Sequence, residues 1–186
     1  AGRTTLAGEG LQHCDGQSHL YAMAFPNCRA YDPAFAYEVA VLVRDGLERM
    51  YGGDAEDCFY YLTLYNENVE QPPMPPGVEA GIVAGCYLLS APTEPIAARV
   101  LASGPMVNEA LEAQRRLAVE HGVGVEVWSV PGWKQLRDDA IACERWNRLH
   151  PGADPRVPYV TRALAGSSSP IVAVSDWVRE IGRAHV

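Results

Sequence analysis

RVLASGPMVNEALEAQRRLAVEHGVGVEVWSVPG, from Arg99 to Gly132, holds the alternation that decides the fold. Arg99–Ala102 is a short apolar run of strand length, and Ser103-Gly104-Pro105 turns it. The spacing predicts a helix from Met106 to about His121, which Gly122 caps. Val123–Val130 then alternates as a strand does, and Pro131-Gly132 turns the chain again. Further on, a helix is predicted from about Lys134 to Leu149, with Leu136, Ala140, Cys143 and Trp146 toward the core. Pro151–Pro158 reads as a loop, Tyr159–Leu164 as an element of undecided type, and Ile171–Val174 as a closing strand. Strand–helix–strand–helix–strand requires crossover connections and therefore a mostly parallel sheet. The fold class is α/β.

Upstream, Gln71-Pro-Pro-Met-Pro-Pro-Gly77 places four prolines in seven residues, a stiff extended linker and the clearest domain boundary in the chain. Val78–Leu89 reads as a helix, broken by Ala91–Pro95. Before the linker, Asp32-Pro33 has the chemistry of a helix N-cap and first helical position. Phe35, Val39, Leu42, Val43, Leu47 and Met50 recur behind it at helical spacing, with Arg44, Asp45, Glu48 and Arg49 on the wet face and Gly52-Gly53 as the stop. Cys58–Tyr65 is aromatic and short, and reads as a strand buried on both faces. Residues 1–30 read as loop. One helix and one strand bury too little surface to close a core. This portion therefore either packs on the second one or pairs with strands that precede residue 1.

Composition excludes several function classes. The chain has 186 residues, 48% apolar and 20% charged, which is globular and not disordered. Its net charge of −8 disfavours nucleic acid and anionic membrane surfaces as partners. No apolar run reaches membrane-spanning length, and the N-terminus lacks a signal-peptide pattern. The absence of an initiator methionine places Ala1 inside a larger reading frame or after a processing site. Cys14, Cys28, Cys58, Cys86 and Cys143 are odd in number and widely spaced, without the pairing of a disulfide framework or a thiolate zinc site. A reducing, cytoplasmic setting is expected.

The chemistry-bearing stretch is His13-Cys14-Asp15-Gly16-Gln17-Ser18-His19. Two imidazoles, a thiol and a carboxylate on a glycine-hinged loop can move protons near neutral pH. As a metal site the cluster lacks a matched second ligand pair, so no metal is expected. Asp15 opposes thiolate formation at Cys14, which is expected to be a spectator. Gly122-Val-Gly124 lacks the third glycine of a dinucleotide fingerprint and precedes a strand where the fingerprint follows one. Ser103-Gly104-Pro105 either presents amides to an anion or is a tight connection. Trp133, Trp146, Tyr60 and Tyr61 are expected in the core, and His121 and His150 at helix C-termini.

Gly2-Arg3-Thr4-Thr5-Leu6, Gly8-Glu9-Gly10-Leu11-Gln12-His13 and Asp15-Gly16-x-Ser18-His19 closely resemble the homodimeric type of bacterial pyruvate dehydrogenase E1, within the transketolase-like thiamine diphosphate enzymes. The likeness runs on through Tyr31-Asp32-Pro33, Asp45-Gly46-Leu47-x-Arg49-Met50-Tyr51-Gly52, Asn66-Glu67-Asn68, Cys143-Glu144-Arg145-Trp146-Asn147 and Pro155-Arg156-Val157-Pro158-Tyr159, to about Trp177. The resemblance implies a partial chain. Residues 1–71 would be the later part of the pyrimidine-binding domain, 72–95 the linker and a connecting helix, and 96–186 a truncated transketolase C-terminal-like domain.

The resemblance also implies the chemistry. His13 matches the family's active-site histidine facing the substrate, and Glu9 an acid near the active-site channel. Asp15 and His19 match positions that line the substrate funnel in transketolases. Cys14 and Gln17 stand where relatives carry an acid and a histidine. The implied partners are pyruvate, a lipoyl-bearing E2 acetyltransferase and a second subunit, with thiamine diphosphate and Mg as cofactors of the full-length protein. The cofactor-binding residues are expected upstream of residue 1, so none is expected in this chain alone. Two further readings stay open: a non-catalytic truncated product or subunit-interface module, and a related 2-oxo acid dehydrogenase with altered substrate.

Overall fold

The computed structural model describes residues 11–181, beginning with a short 3-10 turn at Leu11–His13. Helix α1 (Ser18–Ala22) and strand β1 (Cys28–Tyr31) follow, then α2 (Ala36–Tyr51) and β2 (Phe59–Leu62). β1 and β2 pair in parallel, from Cys28 opposite Phe59 to Tyr31 opposite Leu62. The stretch before residue 30, expected to be loop, thus contains a helix and a strand. Each has five residues or fewer, and a strand of that length is defined by its pairing partner more than by its own period.

Helix α2 starts later than Asp32-Pro33 suggests. Phe35 takes the cap position, and Glu38 folds back to accept the Ala34 and Phe35 amides. Asp32 is withdrawn into tertiary hydrogen bonds, so it caps nothing. The helix buries Glu38, Val41, Leu42 and Gly46, whereas Val43, Leu47 and Tyr51 stand outward at 45%, 56% and 78% exposure. The expected core stripe is therefore rotated, because Gly46 lets the Tyr60 ring approach to 3.3 Å of where a Cβ would sit. Strand β2 is half-buried and not enclosed on both faces, with Phe59 exposed at the edge of a two-stranded sheet.

After the proline linker comes α3 (Glu79–Ala84), which ends at Gly85 in a left-handed conformation. The helix expected over Val78–Leu89 stops there, and its second half is strand β3 (Tyr87–Ser90). Strand β4 (Ile96–Ala102), α4 (Met106–His121), β5 (Gly124–Ser129), α5 (Trp133–Leu149), α6 (Tyr159–Ala163) and β6 (Ile171–Val174) complete the chain. The sheet order is β3-β5-β4-β6, antiparallel only at β3. Among the described residues this is the α/β, mostly parallel architecture expected from Arg99–Gly132. Trp146 departs from expectation. It is half-buried, sandwiched between the His150 ring and the Arg156 guanidinium, 4.5 and 4.4 Å away.

The first portion closes its core on the second. Tyr31, Val41 and Leu42 pack with Ile82 and Tyr87, and Phe35 packs with Ala102, Val107 and Val127. Fully buried side chains of this size each contribute about 1.5–3 kcal/mol. Lys134, the only lysine in the chain, is buried beside Asp138.

Candidate active site

In open α/β sheets, ligands sit beyond the carboxyl ends of parallel strands. Here those ends converge. β1 runs into Asp32, β2 into Thr63, β4 into Ser103, and β6 leads through Ser175 and Asp176 to Trp177. Asp32 is 1% exposed, and its two oxygens take four donors. Oδ1 accepts from Thr63 Oγ1 at 2.6 Å and from the Tyr65 hydroxyl. Oδ2 accepts from Ser103 Oγ and from Trp177 Nε1, both at 2.8 Å. Burial, with Asp32 beside it, holds the Tyr65 hydroxyl protonated well above the usual phenol range. The Asp32 N–H donates to Pro131 O at 2.7 Å, and the Gly104 N–H donates to Asp32 O at 3.0 Å. Ser103-Gly104-Pro105 is thus a tight connection whose Ser103 hydroxyl and Gly104 amide go to Asp32, while its Ser103 amide goes to Val174 O.

The histidine loop rests against this hub. Asp15 Oδ1 accepts the Gln17 and Ser18 amides at 2.9 and 3.0 Å, which shapes the turn into α1. Burial pushes the Asp15 carboxyl up, but hydrogen bonds from Ser18 and Gln17 outweigh it and leave the group below its ordinary value. The Val178 N–H donates to Gly16 O at 2.9 Å. His13 is exposed at the end of the 3-10 turn. His19, expected to line a funnel, is instead buried, with Nε2 3.0 Å from Thr63 Oγ1 and its ring edge-on to Trp177 at 4.5 Å. Burial lowers its pKa against the opposing pull of Asp32 and Asp15. Glu9 lies outside the described residues.

The described part of the loop therefore offers one exposed imidazole, His13, on a turn braced by a buried one, His19. Among the described residues no group of three histidine, cysteine, aspartate or glutamate side chains could hold a metal ion. A groove of 1040 Å³ between β1, α2, α3 and α5 is lined by Arg29, Arg49, Glu56 and Asp138 among others, and by none of His13, Asp15 or His19. Sequence reasoning missed Thr63, Tyr65 and Trp177, and weighed Ser103 only as part of a turn. It found Asp32 but read it as a helix cap. The available signal was that Asp32, Thr63 and Ser103 each follow directly on a strand.

Two family models match the chain. The pyruvate dehydrogenase E1 component middle domain matches residues 1–72, and the transketolase-like C-terminal domain matches residues 85–186. The pyruvate dehydrogenase E1 component of Pseudomonas aeruginosa is 50% identical over 181 residues, that of Escherichia coli K12 48% over 181, and that of Mycobacterium tuberculosis 48% over 184. This chain belongs to the pyruvate dehydrogenase E1 family. These alignments cover 96%, 96% and 97% of the chain but 20% of each relative's length. Solved transketolases share the fold. A Pichia stipitis transketolase mutant superposes with a TM-score of 0.66 at 19% identity, over 92% of this chain and 22% of that one. The Leishmania mexicana enzyme gives 0.64 at 21% identity, over 91% and 21%. Within this family frame, the Asp32 hub joins the two matched segments. Thr63 and Tyr65 lie in the first, Ser103 and Trp177 in the second.

Proposed function

We propose that this chain supplies the histidine loop of a pyruvate dehydrogenase E1, which decarboxylates pyruvate with thiamine diphosphate and passes the acetyl group reductively to the lipoyl group of an E2 acetyltransferase. The observation that carries the reading is an exposed His13 on a loop braced through Gly16 and His19 at the carboxyl ends of parallel strands, within a chain 50% identical over 181 residues to a protein named for that activity. Family membership implies thiamine diphosphate and magnesium. The described residues do not fit as the magnesium's holders, since they assemble no cation site. No catalytic step through the cofactor is assigned to this chain.

What the chain's own residues can do is polar work on a 2-oxo acid. His13 can donate a proton to the ketone oxygen or hold the carboxylate by a charge-assisted hydrogen bond. Glu9 and Asp15 are assigned to the channel beside it. His19 is assigned a supporting place, because its Nε2 is engaged by Thr63. A cytoplasmic homodimer is the setting this reading implies; among the described residues no helix is long and apolar enough to cross a membrane.

The test is pyruvate-dependent carbon dioxide release, coupled to NADH formation, by the longer protein that carries this segment. His13→Ala is expected to lower kcat by about 10²- to 10⁴-fold. A variant turning over at the parent rate removes His13 from the chemistry. Cys14 and Gln17 support a second reading, a related 2-oxo acid dehydrogenase of altered substrate, because the family resemblance implies an acid and a histidine at these two positions. Preference for a longer 2-oxo acid over pyruvate in the same assay selects it.

A further inference from the structure

We propose that Asp32 is the positioning residue of the histidine loop, holding it from both carboxylate oxygens along two separate routes. The first runs Asp32 Oδ1, Thr63 Oγ1, His19 Nε2, with steps of 2.6 and 3.0 Å. A threonine hydroxyl has one proton. The short bond to the carboxylate claims it, so Thr63 Oγ1 accepts from His19, and the imidazole carries its hydrogen on Nε2. Asp32 thereby selects the His19 tautomer at one remove, as a carboxylate behind a histidine does in other settings. The second route runs Asp32 Oδ2, Trp177 Nε1 at 2.8 Å, and then the next amide, Val178 N–H, to Gly16 O at 2.9 Å. The Trp177 ring also closes on His19 at 4.5 Å, so both routes meet on one loop. His13 stands three residues before Gly16 and six before His19. Neither route leads to the solvent-facing side of His13; each fixes the backbone that presents it. Asp32 also draws Ser103 onto Oδ2, so the loop takes its place from both halves of the chain at once.

Where the catalytic assignment of His13 is used, this proposal rests on the function proposed above, but its first test does not. In the ¹⁵N-labelled 186-residue chain, the His19 imidazole is expected to show the Nε2–H tautomer, and the Val178 amide is expected to be protected from exchange. Trp177→Phe keeps the ring and deletes the indole donor. It is expected to speed Val178 exchange by at least about tenfold, the size of one lost hydrogen bond. Thr63→Val is expected to change the His19 ring-nitrogen shifts and leave Val178 protection within about twofold, since the second route is intact. Asp32→Asn is expected to do both. If it fails to fold, the two single-route variants decide. In the longer protein, Asp32→Asn should lower kcat with KM within about twofold, the pattern of a group acting only on transition-state geometry. An Nδ1–H tautomer, or unchanged Val178 exchange in a folded Trp177→Phe protein, overturns the proposal. Absence of pyruvate turnover overturns the proposed function and leaves the exchange and tautomer results to judge Asp32.

Discussion

A buried carboxyl group must find donors or lose its charge, and Glu38 shows both pressures at a single residue. It is 0% exposed, with Oε1 accepting from the Tyr87 and Ser129 hydroxyls at 2.7 and 2.6 Å and Oε2 accepting from the Ala34 and Phe35 amides. Burial pushes its pKa above the ordinary 4.5, against the pull of those donors. The folded state then keeps a proton that the unfolded chain releases. Unfolding is opposed fully below 4.5, and this contribution is lost as pH rises through the raised folded value. Glu38→Gln can satisfy the same partners, because the two hydroxyls rotate to accept from its amide. It should flatten this part of the pH dependence of the urea midpoint. His19 contributes the opposite sign, since its lowered pKa makes the fold less stable as pH falls below 6.5. Comparing wild type with Glu38→Gln across about pH 5 to 8 isolates the carboxyl. Glu38→Ala leaves Tyr87 its Tyr37 partner but orphans the Ser129 hydroxyl and the Ala34 and Phe35 amides, each at about 1–3 kcal/mol, and a loss under about 2 kcal/mol in total contradicts their burial.

At the scale of elements, two helix ends separate backbone conformation from packing. Gly122, after α4, and Gly85, after α3, both have left-handed φ, +64° and +112°. A Cβ on Gly122 meets nothing within 4 Å, whereas one on Gly85 would lie 2.5 Å from Gly132 O and 3.1 Å from Leu136 Cγ. Gly122→Ala should therefore cost about 1–2 kcal/mol, the left-handed penalty alone. Gly85→Ala adds displacement of the α3–α5 contact and should cost about 3 kcal/mol or more by chemical denaturation. Equal costs would show that the contact yields freely. These elements also mark how far sequence reads. Helices α4 and α5 and strands β4 to β6 were legible because their period or turn chemistry is local. Strands β1 and β3 were not, since four residues define a strand only through a partner: β2 for one, β5 for the other. The α2 stripe was legible in period and wrong in phase, because Val43 and Leu47 are apolar but face outward.

For the whole molecule, the limit on legibility was distance along the chain. The donors to Asp32 lie 31, 33, 71 and 145 residues away, at Thr63, Tyr65, Ser103 and Trp177, and no local pattern announces such a set. The loop motif carries the chemistry proposed for the site; only the fold shows what braces the loop. The same global view bears on cofactor. Affinity for a charged cofactor depends on several groups organised together, since each contact alone is modest. The described residues include an exposed His13 and a half-buried Asp15, but they assemble no set of acids, histidines or cysteines for the cation that a diphosphate needs. The chain also spans 20% of the length of its curated relatives. The 186-residue chain is therefore expected to give no saturable heat with thiamine diphosphate and magnesium in titration calorimetry, even where circular dichroism shows it folded. The longer protein should bind under the same conditions and lose turnover, but not cofactor affinity, on His13→Ala. Micromolar binding by the 186-residue chain would place cofactor ligands within it and overturn the division of labour proposed for this family member.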